Sequence, residues 1–497
     1  MNTATPALLV LGMGRSGQAM ARWGVRQGMA VTVADTRPDE ALPQALRQSV
    51  PEAQAVVGPF DQALWQRAPW SVVWRSPGLS PAQTHIIEQA AAEAGVPVQG
   101  ELDVFMHALA QQAAEGAPPK VLAVTGTNGK TTVANLTHHL LRGAGWDVAL
   151  AGNVGPTLLE VLESCVANHR WPQAWVLELS SFQLAIAQPL QATAAAWLNL
   201  SEDHLDWHGD MAAYAQAKQR IFGAGTERVL CRDDAWLSQY FLTPQTTPRE
   251  KRRRQPMAET VVSFGADLPT RPGDWGMDHR QGMWWLVRAH PDAEPQAQPM
   301  PLQHLMPAAA LKIQGLHNAS NALAALALAT QAGAPLAPML RVLRDYSGEP
   351  HRVRPLATVD DVVYIDDSKG TNVGATCAAL QGIGAQRRVV VILGGDGKGQ
   401  NFTPLLQPLQ QVARAAVLIG RDAQRLAELL QPTALNWVHA TDMDDAVQQA
   451  QRLAQPGDAV LLSPACASFD MYRNYVHRAE VFAQAVQRVA DERGVVC

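Results

Sequence analysis

Residues 120–132 read KVLAVTGTNGKTT. Lys120 to Thr125 is a short, β-branched, strand-like run, and after the loop Val133, Leu136, Leu140 and Leu141 recur at helical spacing. Strand, glycine loop and helix in that order predict a phosphate site. Glycines let backbone N–H groups converge on oxygens, and the helix N-terminus adds partial positive charge. Gly126, Thr127, Asn128, Gly129, Lys130, Thr131 and Thr132 are therefore expected to hold the phosphates of ATP. Lys130 would reach the β- and γ-phosphates, and the Thr131 hydroxyl would hold Mg²⁺. Two residues separate Gly126 from Gly129, so the match is to a shorter variant of the general pattern.

Working outward, strand-like runs end in glycine or polar residues at Ala7 to Gly12, Trp175 to Leu179, Ala194 to Asn199, Val362 to Asp366, Arg388 to Gly394, Ala416 to Gly420 and Ala459 to Ser463. Ala/Leu/Gln-rich helical stretches lie between them. The alternation predicts an α/β protein with parallel sheets and helices on both faces, with ligands at the carboxyl ends of strands. A chain of 497 residues is too long for one core. Breaks around Gln111 to Lys120 and Tyr346 to Pro350 predict three domains: 1–116, Rossmann-like; 117–347, a central P-loop ATPase domain with a parallel sheet; and 348–497, again Rossmann-like.

A net charge of -5 gives no electrostatic reason to expect a nucleic-acid or membrane partner. The five cysteines (Cys165, Cys231, Cys377, Cys466, Cys497) form no CxxC pair, which argues against a zinc site or a disulfide framework. Neither a signal peptide nor an apolar run of about 18 residues is visible, and a reducing cytoplasm is the expected location. The basic run within Gln245 to Pro256 lacks aromatics and reads as a solvated surface loop rather than a nucleic-acid patch.

Two segments end strands beyond the loop: Glu178-Leu-Ser-Ser-Phe-Gln183 and Asn199-Leu-Ser-Glu-Asp-His-Leu-Asp206. Glu178 and His204 are candidate Mg²⁺ ligands, although the acidic run around His204 reads equally well as a helix N-cap. Lys218 by spacing alone is a surface residue. At the N-terminus Gly12-Met-Gly-Arg-Ser-Gly17 is G-x-G-x-x-G after a strand, with Asp35 ending the next strand. Its physical content is a diphosphate on a helix N-terminus, which fits NAD or another dinucleotide-like ligand.

Gly126 to Thr131, Glu178 to Ser181, Asn199 to His204, Lys218, Gly315-Leu-His-Asn318 and His351-Arg352 together resemble the Mur ligase family, in order along essentially the whole chain. That family builds the peptide stem of bacterial peptidoglycan. Asp367-Ser-Lys-Gly-Thr-Asn372, Leu393 to Lys398 and Ser463 to Asp470 resemble its D-glutamate-adding branch. The resemblance implies an ATP-dependent amide ligase that joins D-glutamate to UDP-N-acetylmuramoyl-L-alanine as a monomer. It implies a carbamate, derived from CO₂, on Lys218, which with His204 binds one of two Mg²⁺ ions; Thr131 and Glu178 bind the other.

The same resemblance makes Lys130, Glu178, His204 and Lys218 the catalytic set. It makes Asn318, Arg352 and Asp367 nucleotide contacts. Lys369, Thr371, Lys398, Ser468 and Tyr475 are implied to form the amino-acid pocket; the family often has Phe at the last position. Asn153 is implied to meet the nucleotide-sugar, whose UDP end falls to Arg15, Ser16, Asp35, Thr36, Arg37, Ser76, Pro77 and Gly78. An acyl phosphate formed at the γ-phosphate would be the intermediate, with His204 or phosphate as final proton acceptor. Three other readings compete: another amide ligase of the same fold, such as a folate polyglutamate ligase; an NAD-dependent oxidoreductase; and a nucleotide-gated binding protein.

Overall fold

The computed structural model describes residues 5–113, 118–153, 155–242, 261–313 and 315–494. The basic run within 245–256, the linker residues 114–117 and Cys497 lie outside them. Contacts divide the chain into two compact units. One comprises Met1–Leu200, His204–Ser263 and Ala324–Met339; the other comprises Ser201–Asp203, Phe264–Leu323 and Leu340–Cys497.

The first unit holds two parallel arrays. Strands β1 (Ala7–Leu11), β2 (Ala30–Asp35), β3 (Gln54–Val57), β4 (Trp70–Arg75) and β5 (Val98–Gly100) lie in the order β3-β2-β1-β4-β5. All four pairings are parallel. The order reverses between β1 and β4, and the crevice at such a switch point is where open α/β sheets bind ligands. Leu9, Leu11, Val73, Phe60 and Ile87 make the core on one face. Helix Arg15–Arg26 packs close enough that a Cβ on Gly24 would stand 2.4 Å from Leu8 Cδ2, so a larger residue there would force the buried Leu8 to repack.

The second array contains the quoted loop. Strands β6 (Lys120–Thr125), β7 (Val148–Gly152), β8 (Ala174–Glu178), β9 (Ala194–Trp197) and β10 (Glu227–Cys231) run in the order β10-β9-β6-β8-β7, all parallel. β6 and β8 are apolar almost end to end because helices cover both faces of the sheet. β6 sits between β8 and β9, so the glycine loop emerges at a second switch point.

In the second unit β16 (Val362–Asp366), β17 (Val389–Gly394), β18 (Ala413–Ile419), β19 (Asn436–His439) and β20 (Ala459–Leu462) form a parallel array, edged by β15 (Arg354–Val359). β17 supplies Val389, Val391 and Leu393 to one core and Val390 and Ile392 to the other, which is the period of two expected of a strand buried on both faces. Loops from β16, β17 and β20 converge at one end of this sheet.

The parallel sheets expected from the alternation of strands and helices are present, and they carry antiparallel additions. β15 pairs antiparallel with β16, and after β11 (Val261–Phe264) the strands β12 (Trp275–Arg280), β13 (Met283–Ala289) and β14 (Leu302–Pro307) form an antiparallel meander. The β12–β13 connection is the two-residue turn Gln281-Gly282. Both residues have positive φ, +50° and +77°, which matches the twist of an antiparallel hairpin.

Gly394 ends β17 at φ +124°, and a Cβ there would stand 1.9 Å from the Ile419 carbonyl oxygen that closes β18. Gly394→Ala should therefore lower unfolding stability by about 2 kcal/mol. Denaturant titration checks this; a midpoint equal to wild type would contradict it.

Candidate active site

Helix Lys130–Gly143 begins in the glycine loop. Gly129 is its N-cap residue, at φ +81°, where a side chain would be strained. Asn199, just beyond β9, braces the loop. Its side-chain oxygen accepts from the Asn128 N–H at 2.8 Å, its amide donates to the Asn128 carbonyl at 3.1 Å, and its backbone carbonyl accepts from the Thr127 N–H at 3.1 Å. Lys130 folds back on the loop, with Nζ 2.9 Å from the carbonyls of both Gly126 and Thr127. Thr131 and Thr132 are buried in the first turn.

Lys218 is the residue that helical spacing misplaces. On helix Met211–Gln219 it is only 1% exposed. Nζ donates to the Gly126 carbonyl at 2.8 Å and lies 4.6 Å from the centre of the Tyr214 ring. Tyr214 in turn sits with its hydroxyl 3.2 Å from Thr127 Oγ1. A buried ammonium without such partners would be costly, so this lysine belongs to the loop it supports.

Glu178 closes β8 in register with Val124 of β6, which brings its carboxylate to the same end of the sheet as the loop. It is 5% exposed. The Asn153 side chain donates to Oε1 at 3.2 Å, and the Asn153 N–H donates to the Glu178 carbonyl at 2.8 Å. The Thr131 hydroxyl and the Glu178 carboxylate are hard oxygen donors of the kind Mg²⁺ takes. An ammonium at Lys218 is no cation ligand; a carbamate there would be one.

His204 stands at the N-cap position of the one-turn helix Leu205–His208, at φ +55° and without a side-chain cap bond. Its ring meets Phe182 edge-on, 4.7 Å between centres. His208 stacks on the same Phe182 at 5.6 Å, and its Nε2 lies 2.9 Å from Ser181 Oγ. Burial, and then the positive charges of His204 and Lys218, push the His208 pKa down to about 4, so it is neutral at pH 7. No role for His208 was evident in the sequence. Its i,i+4 spacing from His204 was the available signal.

In the N-terminal sheet all the residues expected at the UDP end line one cavity of about 400 Å³: Arg15, Ser16, Asp35, Thr36, Arg37, Ser76, Pro77 and Gly78, with Gly12 and Gly14. The tight turn is real, since a Cβ on Gly17 would stand 1.8 Å from the Gly12 carbonyl oxygen. Asp35 accepts from the Met13 N–H at 2.7 Å and is gripped by the Arg37 guanidinium at 2.8 and 2.9 Å. Burial alone would raise the Asp35 pKa, but the Arg37 and backbone hydrogen bonds outweigh it and leave the carboxyl below its ordinary value. Arg15 is paired with Glu160 at 2.9 Å.

In the second unit, Asn318 and Arg352 line one cavity of about 230 Å³. Asn321 fixes the Asn318 side chain, donating to its Oδ1 at 3.1 Å. Asp367 follows β16, fully enclosed. It accepts from Ser463 Oγ at 2.7 Å and from the Val353 N–H at 3.2 Å, and burial pushes its pKa up to about 7. Lys369 Nζ sits 5.3 Å from the centre of the Tyr475 ring. Lys398, at φ +48°, follows β17. Thr371 and Ser468 follow β16 and β20, so the amino-acid set comes from three neighbouring strand ends and one helix N-terminus.

In the sequence Arg478 is one of several charged residues in a helical stretch and carries no signal of its own. It is buried, donating to Ser368 Oγ (3.0 Å), the Ser368 carbonyl (2.7 Å) and the Cys466 carbonyl (3.1 Å). Burial pushes its pKa down to about 10, still charged at pH 7.

Among the described residues no helix is long and apolar enough to cross a membrane. Three family models cover the chain: a Mur ligase MurD-like N-terminal domain over residues 6–100, a Mur ligase middle domain over 124–329, and a Mur ligase glutamate ligase domain over 351–466. The UDP-N-acetylmuramoylalanine–D-glutamate ligase of Albidiferax ferrireducens is 52% identical, covering 98% of this chain and 97% of its own. That of Ralstonia nicotianae is 50% identical, covering 99% of each.

Among solved structures, the UDP-N-acetylmuramate–alanine ligase of Thermotoga maritima superposes with TM-score 0.56 at 18% identity, over 98% of this chain and 100% of its own. The MurF ligase of the same organism, in complex with ADP, does so with TM-score 0.58 at 14% identity, over 99% and 96%. These two share the three-part α/β fold. The chain belongs to the Mur ligase family and, within it, groups with the D-glutamate ligases.

Proposed function

We propose that this chain is an ATP-dependent amide ligase that adds D-glutamate to UDP-N-acetylmuramoyl-L-alanine in peptidoglycan precursor synthesis. The observation that carries the reading is the glycine loop at a switch point, with the Lys130 and Lys218 ammonium groups both on the Gly126 carbonyl. Its relatives bear the specific activity in their names.

A carboxylate is a poor electrophile, so a leaving group must first be installed on it. The substrate carboxylate attacks the γ-phosphate, giving an acyl phosphate and ADP. The amine of D-glutamate then attacks the acyl carbon and phosphate leaves. The first step brings two anions together, and Lys130 with the backbone N–H groups of the loop supplies positive charge where it is needed. Mg²⁺, when bound, further neutralises the phosphates and orients them.

One ion would be held by Thr131 and Glu178, and a second by His204 and the carbamate of Lys218. CO₂ reacts with a neutral amine, and a dry environment disfavours the charged form of any amine. The burial of Lys218 supports this assignment. The cavity at Gly12 to Gly17 would take the UDP end, with Asn153 near the sugar. Asn318, Arg352 and Asp367 would meet the nucleotide, while Lys369, Thr371, Lys398, Ser468 and Tyr475 would receive D-glutamate. We assign these tasks to domains 1–116, 117–347 and 348–497 of a cytoplasmic monomer.

With ATP, Mg²⁺ and UDP-N-acetylmuramoyl-L-alanine, ADP release should depend on D-glutamate. Hydrolysis indifferent to D-glutamate would favour a nucleotide-gated binding protein instead. ¹⁸O placed in the substrate carboxylate should appear in the released phosphate; unlabelled phosphate would reject the acyl-phosphate route.

Lys218→Ala should reduce turnover by about 10³-fold while the protein stays folded by circular dichroism. Added short carboxylic acids should partly restore it. Wild-type turnover in this variant would remove the carbamate.

A further inference from the structure

The amino acid arrives as an ammonium ion, which has no lone pair. Something must take a proton before its nitrogen can attack. We propose that His351, oriented by Asp366, accepts that proton; the assignment rests on the ligase reading above.

His351 lies just before β15, and its Nδ1 is 2.7 Å from Asp366 Oδ2. A carboxylate at Nδ1 holds the proton on that nitrogen and leaves the Nε2 lone pair free to act as base. Asp366 is itself fixed, because its Oδ1 accepts from the Ser368 N–H at 2.9 Å and its side chain is 3% exposed. The imidazole remains 23% exposed, so a ligand can reach it.

The surroundings tie His351 to the amino-acid pocket. The Lys369 N–H donates to the His351 carbonyl at 3.2 Å. The His351 and Tyr475 rings meet edge to face, 6.1 Å between centres, and Lys369 Nζ lies against the same Tyr475 ring. The charged and titratable groups around His351 are therefore Asp366 on β16, Lys369 after it, Tyr475 at the start of helix Tyr475–Glu492, and Arg352 next in the chain.

A purely structural role is the competing account, since His351 sits at φ +64° and a hydrogen bond to Asp366 would pin that strained backbone. A pin needs the hydrogen bond but not the charge. A base needs both.

In the step itself one N–H proton passes to Nε2 and on to solvent. The nitrogen lone pair forms the C–N bond, and the C–O pair leaves with phosphate. A second N–H proton neutralises the departing phosphate to its monohydrogen form. Ammonium and acyl phosphate thus become amide, monohydrogen phosphate and one proton.

The test is a competition in the full-length enzyme with ATP, Mg²⁺ and UDP-N-acetylmuramoyl-L-alanine. D-Glutamate and hydroxylamine compete for the acyl phosphate, and hydroxylamine is already unprotonated near neutral pH. His351→Gln should lower the ratio of amide to hydroxamate by about 100-fold near pH 7, and the ratio should recover as the pH rises. Being a ratio, it is insensitive to loss of folded protein. Asp366→Asn, with its Oδ1 still accepting from the Ser368 N–H, turns an amide N–H toward Nδ1; a hydrogen bond survives, but the imidazole proton moves to Nε2 and the base is lost, so the ratio should fall as in His351→Gln. An unchanged ratio in either variant overturns the assignment. Absence of hydroxamate from the wild-type enzyme would instead bring down the ligase reading, and this one with it.

Discussion

Two ammonium groups share one carbonyl oxygen. Lys130 and Lys218 both donate to Gly126, at 2.9 and 2.8 Å. Like charges this close repel, and in a buried setting the repulsion is poorly screened. The arrangement persists because the loop offers a second carbonyl, that of Thr127, and because the Tyr214 ring faces Lys218. An incoming polyanion relieves the repulsion. Converting Lys218 to a carbamate would reverse its sign and turn the same pair into an attraction. The glycine loop, the Asn199 brace and the Tyr214 contact all serve to hold that charge in place.

The catalytic scaffold repeats one device in three sheets. A parallel strand ends, the chain turns sharply, and a polar residue is left facing the crevice. Where backbones come closest the residue is glycine, because there is no volume for a Cβ: Gly17, in the helix that follows β1, against the Gly12 carbonyl, and Gly394, at the end of β17, against the Ile419 carbonyl that ends β18. Such positions fix the angle at which the following loop departs, so the loops inherit the precision of the sheets beneath them.

Much of this was legible in the sequence because it is local. Gly126 to Thr132, Gly12 to Gly17 and Glu178 declare themselves through the order strand, turn, helix, and each lies at a strand's carboxyl end as that order requires. The alternating pattern also gave the parallel arrays. What stayed hidden depends on contacts between distant segments. Lys218 and Arg478 have the spacing of surface residues, and only the fold reveals that one faces Gly126 and the other Ser368 and Cys466. His208 was obscured by its acidic neighbourhood, since Asp206 suggested solvent whereas the ring stacks on Phe182. The antiparallel meander β12–β14 was missed because its signal is a two-residue turn, Gln281-Gly282, within an otherwise polar stretch.

Arg478 carries a consequence of its own. With one guanidinium it ties the segment after β16 to the segment after β20, and it does so from the helix that begins at Tyr475. Three walls of the proposed amino-acid pocket are thus anchored to a single buried cation. The pocket cannot widen on one side without disturbing the others. Divergence in this region has to proceed by exchanging side chains at its lip, since a shift in backbone would leave a charge stranded in the interior.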